Sequence, residues 1–159
     1  MNHNTEYFYP DPAVSRGLDD AAATVKYRGR SILMLEDDDT FSEIFGSYLL
    51  SQGFKVIRVP SGARGLQKIL VMEFDVIICD MVMPGFPGDM FYLAVSRSKP
   101  HLLKRFIFMT GYQGDKKVDD FIRRIQGVVL YKPFQFGEVM VRIDAVLSRS
   151  AMSAGTRAA

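Results

Sequence analysis

The sequence contains very few of the residues that build disulfide scaffolds or zinc sites. Cys79 is its only cysteine, it has two histidines, and it has no tryptophan. A single cysteine excludes an internal disulfide and a cysteine-based zinc site within the chain. We therefore expect a protein of a reducing compartment, the cytoplasm.

Long apolar runs and a strong charge imbalance are also absent. No stretch reaches the roughly 20 apolar residues of a transmembrane helix, and acidic residues such as Glu6 and Asp11 interrupt the region where a secretory signal would lie. The 20 basic and 18 acidic residues give a net charge of +2, which is too small to indicate nucleic-acid or anionic-membrane binding. We expect neither nucleic acid nor membrane as a partner.

The composition is that of a soluble globular protein, with 48% hydrophobic and 24% charged residues. At 159 residues the chain fits one domain with a sizeable core. Residues 1–27 mix proline, glycine and charges without periodicity, which predicts a flexible arm. Residues 28–148 are the predicted domain, and residues 149–159, rich in Ser, Ala and Gly, are predicted to form a disordered tail.

Five short runs are apolar nearly throughout, which is typical of strands buried on both faces. They cover residues 31–35, 54–59, 74–79, 105–109 and 128–131. Each run is followed by a predicted helix, and most of these helices carry a stripe with i, i+3, i+4 spacing. The third, at about 88–98, is less regular. Alternating strands and helices predict an α/β fold with a parallel sheet, whose working site lies at the carboxyl ends of the strands.

Polar side chains follow four of the five predicted strands. They are Glu36 and Asp37 after the first, Asp80 after the third, Thr110 after the fourth, and Lys132 with Pro133 after the fifth. Three carboxylates in one pocket repel each other unless a cation neutralises them. Oxygen ligands favour Mg²⁺, which suits phosphoryl chemistry.

The same residues provide what phosphoryl transfer needs, namely in-line positioning and charge neutralisation. Lys132 would supply a fixed positive charge. The hydroxyl of Thr110 could donate a hydrogen bond to a phosphoryl oxygen carried by Asp80. The first helix is expected to begin at a cap among Asp38, Asp39 and Thr40.

Four segments, ILMLEDD, IICDMVMPGFPG, FMTGY and YKPF, resemble the signature segments of response-regulator receivers, in the same order and with similar spacing. The resemblance covers about residues 31–147. It implies a flavodoxin-like, doubly wound (βα)5 fold with strand order 2-1-3-4-5.

The resemblance also implies a role for each matching position. Asp80 corresponds to the phosphoacceptor, Thr110 to the switch hydroxyl and Lys132 to the lysine before proline. The implied Mg²⁺ ligands are Glu36, Asp37, Asp80 and the backbone carbonyl of Val82. A protein of this kind is not an enzyme in the usual sense, because it catalyses only its own phosphorylation and dephosphorylation.

Partners follow from the same resemblance. The phosphoryl donor would be a sensor histidine kinase or a histidine phosphotransfer protein. The phosphorylated protein would signal through protein contacts, by binding a downstream partner or by forming a homodimer. The expected contact surface is the face formed by the fourth helix, fifth strand and fifth helix. We expect no second folded domain after the fifth helix.

Three positions depart from the family pattern. Val129 stands three residues before the lysine, where receivers often carry a switching Tyr or Phe; Tyr131, Tyr112 or Phe134 could substitute. Val82 and Tyr112 flank the expected phosphoryl site without an amide or carboxylate to orient water. We therefore expect slow hydrolysis of the Asp80 phosphate.

Two alternative functions remain open. A phosphatase of the haloacid-dehalogenase type uses an Asp-x-Asp-x-Thr motif, but the corresponding run here starts with Glu36 instead of the nucleophilic aspartate. A pseudo-receiver would keep the fold and bind a partner without phosphorylation, although the intact set of Asp37, Asp80, Thr110 and Lys132 argues against it.

Overall fold

The computed structural model describes residues 25–155, and the rest of the predicted arm and tail, residues 1–24 and 156–159, lies outside that range. The strands are β1 (Ser31–Leu35), β2 (Lys55–Val59), β3 (Val76–Asp80), β4 (Phe106–Thr110) and β5 (Val128–Tyr131). The helices are α1 (Asp39–Ser51), α2 (Gly62–Val71), α3 (Gly88–Ser98), α4 (Lys116–Ile125) and α5 (Phe136–Gly155). A 3₁₀ helix (Pro100–Arg105) precedes β4.

The five strands form one parallel sheet in the order β2-β1-β3-β4-β5. The predicted α/β fold, its strand order and the strand positions to within two residues are confirmed. The register places Asp80 beside Met109 and Thr110 beside Tyr131. The polar ends of neighbouring strands therefore lie side by side at one edge of the sheet.

Two apolar clusters cover the two faces of the sheet. In β1, Ile32 and Met34 belong to the cluster with α1 and α5, whereas Leu33 and Leu35 belong to the cluster with α2, α3 and α4. Successive strand residues point to opposite faces. Because both faces are covered, an apolar side chain is stable at nearly every position, which explains why β1, β3 and β4 are apolar runs.

Side-chain caps begin several helices just beyond the strand ends. The Asp38 carboxylate accepts a hydrogen bond from the Phe41 amide (2.9 Å) and caps α1, as expected for residues 38–40. Asp115 caps α4 in the same way, accepting from Lys117 and Val118. Each cap satisfies amides that the first helical turn leaves without partners. The caps therefore end these loops at a defined residue.

The structure differs from the predicted boundary at the amino-terminal side. Residues 25–27, assigned to the flexible arm, are helical. Tyr27 is only 5% exposed, its ring stacks on Phe54 at 4.6 Å between centroids, and its hydroxyl donates to Asp144 Oδ1 (2.9 Å). A buried aromatic ring with a bonded hydroxyl belongs to the domain, so the packed unit begins before residue 28.

The carboxyl-terminal boundary is also corrected. Helix α5 runs to Gly155, through residues 149–155 that were assigned to a disordered tail. Its apolar stripe ends near Leu147, but Arg149 and Ala151 are strong helix formers and let the helix continue past the core.

Although α5 has 20 residues, none of the helices in the described part of the chain combines the length and apolar character that crossing a bilayer requires.

Asp75 precedes β3, and its carboxylate accepts a hydrogen bond from Ser31 at the start of β1. Replacing Asp75 tests how much this link between the two strands contributes to stability. Partial burial alone would raise the pKa of Asp75, but hydrogen bonds from Ser31 and Arg30 outweigh it and lower that pKa. A lowered carboxyl pKa stabilises the fold above the unfolded-state pKa, and the effect disappears as pH falls through the folded-state pKa. We expect Asp75→Asn to lose about 1 kcal/mol at neutral pH, measured by urea unfolding.

The difference between wild type and Asp75→Asn should shrink as pH falls below the ordinary aspartate pKa of about 4, because the unfolded chain takes up a proton there and the folded chain does so only at lower pH. Asp120→Asn serves as control, because Asp120 forms an exposed ion pair within one helix, with Arg123, and such pairs contribute little. A stability difference for Asp75→Asn that stays constant down to pH 3 would contradict this account.

Candidate functional site

Three carboxylates meet where β1 and β3 end. Oxygen atoms of Glu36, Asp37 and Asp80 all lie within 4.8 Å of one another. Glu36 and Asp80 are buried, at 3% and 6% exposure, while Asp37 is exposed. Three of the side chains predicted at strand ends therefore lie together in one pocket that opens to solvent on the Asp37 side.

Lys132, from the end of β5, bridges the two buried carboxylates. Its Nζ donates to Asp80 Oδ2 (2.6 Å) and to Glu36 Oε2 (2.8 Å). Burial alone would lower the pKa of Lys132, but its hydrogen bonds to Asp80 and Glu36 outweigh burial and raise that pKa. The ammonium group therefore keeps its proton and provides a positive charge in the pocket.

Glu36 is held on both of its oxygens. Oε2 accepts from Lys132, and Oε1 accepts from the Asp38 amide (3.1 Å). Burial raises the pKa of Glu36, and these two hydrogen bonds only partly offset it. A carboxylate in this environment gains from additional positive charge, such as a divalent cation.

The Asp80 side chain is oriented by its own loop as well as by Lys132. Its Oδ1 accepts from the Val82 amide (2.8 Å), and its Oδ2 accepts from Lys132. Behind it, the backbone of Asp80 lies against Gly88 at the start of α3, where a Cβ would fall 2.5 Å from the Asp80 carbonyl oxygen. The carboxylate therefore has a defined position at the strand end.

Thr110 lies at the end of β4 and is fully buried. Its Oγ1 accepts from the Tyr112 amide (3.0 Å), and its carbonyl oxygen accepts from the Lys132 amide (2.8 Å). The backbone thus ties the threonine to the lysine. The predicted contact of its hydroxyl with a phosphoryl group on Asp80 stays a prediction.

The pocket fits a hard divalent cation. Its donor set consists of carboxylate oxygens from Glu36, Asp37 and Asp80, and one of these side chains is open to water. Mg²⁺ prefers one or two carboxylates and keeps several waters. The residues present are therefore suited to Mg²⁺.

An aromatic ring that the sequence placed only in the core stripe of the first helix also lies at this site. Phe41 covers the ammonium group of Lys132, with Nζ 4.9 Å from the ring centroid. The ring packs against Phe45 and Phe134. Helical periodicity indicated that Phe41 faces the sheet, but no sequence signal connects it to a lysine 91 positions away.

The three residues that depart from the family pattern, Val129, Val82 and Tyr112, differ in how far they are buried. Val129 packs against the apolar cluster of α2, α3 and α4, while Tyr131 is half-buried beside Thr110 in the register. Val82 and Tyr112 are 48% and 55% exposed.

The structure weakens the phosphatase alternative. That reading needs the side chain of Asp38 free to act with Glu36 and Thr40. The Asp38 carboxylate instead accepts from the Phe41 amide as the cap of α1. Its position is explained by helix capping.

Comparison with known proteins identifies a family. Residues 32–144 match the family described as the response regulator receiver domain. The transcriptional regulatory protein GltR of Pseudomonas aeruginosa is 33% identical over 124 residues, which are 77% of this chain and 50% of that protein. The sensor kinase CckA of Brucella abortus is 26% identical over 75% of this chain but only 13% of its own length.

Solved structures agree in fold. A crystal structure of a response regulator from Chloroflexus aurantiacus has a TM-score of 0.67 and 29% identity, covering 75% of this chain and 98% of that one. Four of the curated relatives matched are about twice the length of the matching region. The receiver domain is thus the part that they share with this chain.

Proposed function

The chain belongs to the response regulator receiver domain family of two-component signalling, and we propose that it accepts a phosphoryl group on Asp80. The observation that carries the proposal is the bridge from Lys132 to Asp80 and Glu36, at 2.6 and 2.8 Å, inside a pocket of three carboxylates. An ammonium group held at the acceptor is the preorganised charge that phosphoryl transfer needs.

In the proposed reaction, a carboxylate oxygen of Asp80 attacks the donor phosphorus. The new oxygen–phosphorus bond makes the Asp80 side chain an acyl phosphate, and the bond from phosphorus to the donor nitrogen or oxygen breaks. Lys132 partners the developing negative charge. The hydroxyl of Thr110 leaves its hydrogen bond with the Tyr112 amide and donates to a phosphoryl oxygen.

Glu36, Asp37, Asp80 and the carbonyl oxygen of Val82 are the proposed ligands of Mg²⁺. When bound, Mg²⁺ neutralises the charge of the carboxylates and of the incoming phosphoryl oxygens. Asp80 remains oriented by the Val82 amide.

The proposed donor is a sensor histidine kinase or a histidine phosphotransfer protein. We propose that the phosphorylated state acts through protein contacts, by a downstream partner or a homodimer, at the face formed by α4, β5 and α5. A pull-down comparing phosphorylated and unphosphorylated chains would identify such a partner. These proposals concern the receiver domain, since the chain spans about half the length of most curated relatives that it matches.

The test of phosphoryl acceptance uses a small acyl phosphate with Mg²⁺, and beryllofluoride as a phosphoryl mimic. We expect wild type to form a slower band on a phosphate-affinity gel and to shift amide signals near Asp80, Thr110 and Lys132 in NMR spectra. Asp80→Asn is the matched control and should show neither the slower gel band nor the shifted amide signals. A folded wild type that responds to neither reagent would favour the pseudo-receiver.

Slow loss of the phosphoryl group is a separate prediction. Val82 and Tyr112 present no side-chain amide or carboxylate to an attacking water. Because one hydrogen bond contributes about 1 kcal/mol, Val82→Asn should hydrolyse the phosphoprotein about fivefold faster. The decay is followed on phosphate-affinity gels after donor removal, with Val82→Leu as control; equal decay of wild type and Val82→Asn would contradict the prediction.

A further inference from the structure

The ammonium group of Lys132 has a third contact besides its two carboxylates. A lysine ammonium carries three N–H donors, and two hydrogen bonds go to Asp80 and Glu36. The ring of Phe41 covers Nζ at 4.9 Å from its centroid, within the range of a cation–π interaction. The charge is therefore held by two oxygens and one aromatic face.

The ring of Phe41 is itself fixed by two other rings. Its centroid lies 5.5 Å from that of Phe45 and 6.0 Å from that of Phe134, and these two rings are 5.7 Å apart. Phe45 is fully buried in the core. Edge and tilted contacts of this kind stabilise ring positions, so Phe41 cannot turn away from Lys132 without disturbing core packing.

The backbone connects the same ring to the acidic pair. The Asp38 amide donates to Glu36 Oε1 (3.1 Å), and the Asp38 carboxylate accepts from the Phe41 amide (2.9 Å). Lys132 then contacts both Phe41 and Glu36. These contacts connect Glu36, Asp38, Phe41 and Lys132 in a closed ring, and Lys132 joins that ring to Asp80.

We propose that Phe41 is a positioning residue for phosphoryl transfer, whose ring face holds the Lys132 ammonium group at Asp80. The inference rests on the proposed function, because Lys132 matters to the reaction only if Asp80 accepts a phosphoryl group. An aliphatic side chain fills similar space but lacks the electron-rich face that attracts a cation. Without that face, Lys132 samples more rotamers, and fewer of them place Nζ at Asp80.

Three variants separate this role from simple packing. Phe41→Leu removes the ring and keeps an apolar side chain, whereas Phe41→Tyr keeps the ring. Tyr48→Leu is the matched control, because it removes a ring from the same helix, one that stacks on Phe136 at 4.6 Å. Unfolding in urea measures the stability of each variant, so that loss of rate is compared among folded proteins.

The rate of phosphorylation by a small acyl phosphate with Mg²⁺ is the first measurement. We expect Phe41→Leu to react about fivefold more slowly, which corresponds to about 1 kcal/mol. Phe41→Tyr should stay close to wild type, and Tyr48→Leu should lose stability without losing rate. A wild-type rate in Phe41→Leu, or an equal loss in Phe41→Tyr, would overturn the inference.

The second measurement does not depend on phosphorylation. Protons on the ε-carbon of Lys132 near the face of Phe41 should show an upfield ring-current shift in NMR spectra. The shift should vanish in Phe41→Leu and persist in Phe41→Tyr and Tyr48→Leu. If wild type accepts no phosphoryl group, the proposed function fails; the ring-current shift then decides separately whether Phe41 orders Lys132, and its absence would overturn the inference.

Discussion

Lys132→Met should slow phosphoryl acceptance by Asp80 about a hundredfold. Methionine keeps most of the length of the side chain but removes the charge that lies 2.6 Å from Asp80 and 2.8 Å from Glu36. A preorganised charge in a buried pocket contributes far more than one in water, because the surrounding dielectric is low. The measurement is the initial rate of phosphoprotein formation with a small acyl phosphate and Mg²⁺.

Lys26→Met is the control for Lys132→Met, because it makes the same change in another lysine bonded to a carboxylate. Lys26 pairs with Asp144 at 2.9 Å, but the two side chains are 57% and 42% exposed. Exposed ion pairs contribute little, and this one is not at the pocket. We expect a wild-type rate for Lys26→Met, and a wild-type rate for Lys132→Met would refute the role assigned to the ammonium group.

Lys132→Met should also change how stability depends on pH. Removing the lysine leaves the buried carboxylates of Glu36 and Asp80 without their cation, at a cost of about 3 kcal/mol near neutral pH. Burial raises the pKa of Glu36, so the folded state takes up a proton more readily than the unfolded state. Stability then increases as pH falls toward the unfolded-state pKa, and the variant should regain part of its loss at pH 5.

Gly88→Ala should destabilise the domain by about 3 kcal/mol. A Cβ at Gly88 would lie 2.5 Å from the Asp80 carbonyl oxygen and 3.0 Å from Met81 Cα. Both neighbours are backbone atoms, which cannot rotate away as a side chain would. The start of α3 or the end of β3 must shift, so the phosphorylation rate should fall together with the urea midpoint.

Gly137→Ala is the matched control for Gly88→Ala. Gly137 lies in the first turn of α5, where a Cβ would meet nothing within 4 Å. Alanine lowers the conformational entropy of the unfolded chain and favours a helix, so a gain of about 0.5 kcal/mol is expected. Equal urea midpoints for the two variants would contradict the steric argument.

Much of the fold could be predicted because burial on both sides of a sheet leaves a direct trace in sequence. The runs ending at Leu35 and Cys79 are apolar since neither face meets water. Parallel strands then bring their carboxyl ends to one edge. The meeting of Glu36, Asp37, Asp80 and Lys132 follows from that topology, whereas their roles in phosphoryl transfer remain to be tested.

Other features could not be predicted because no local pattern encodes them. Tyr27 is buried through its stack on Phe54 and its hydrogen bond to Asp144, which lie far along the chain. The extension of α5 past Leu147 has no apolar stripe to mark it.

The amino-acid sequence alone determined the order of strands and helices and the residues that stand at the strand ends, because these depend on local periodicity and on the rules of parallel sheets. Only the tertiary structure decided which neighbours surround the Lys132 ammonium group. Its contact with Phe41 depends on where the start of α1 lies relative to the loop after β5, and that placement is set by side-chain packing across the core, which no short stretch of sequence specifies.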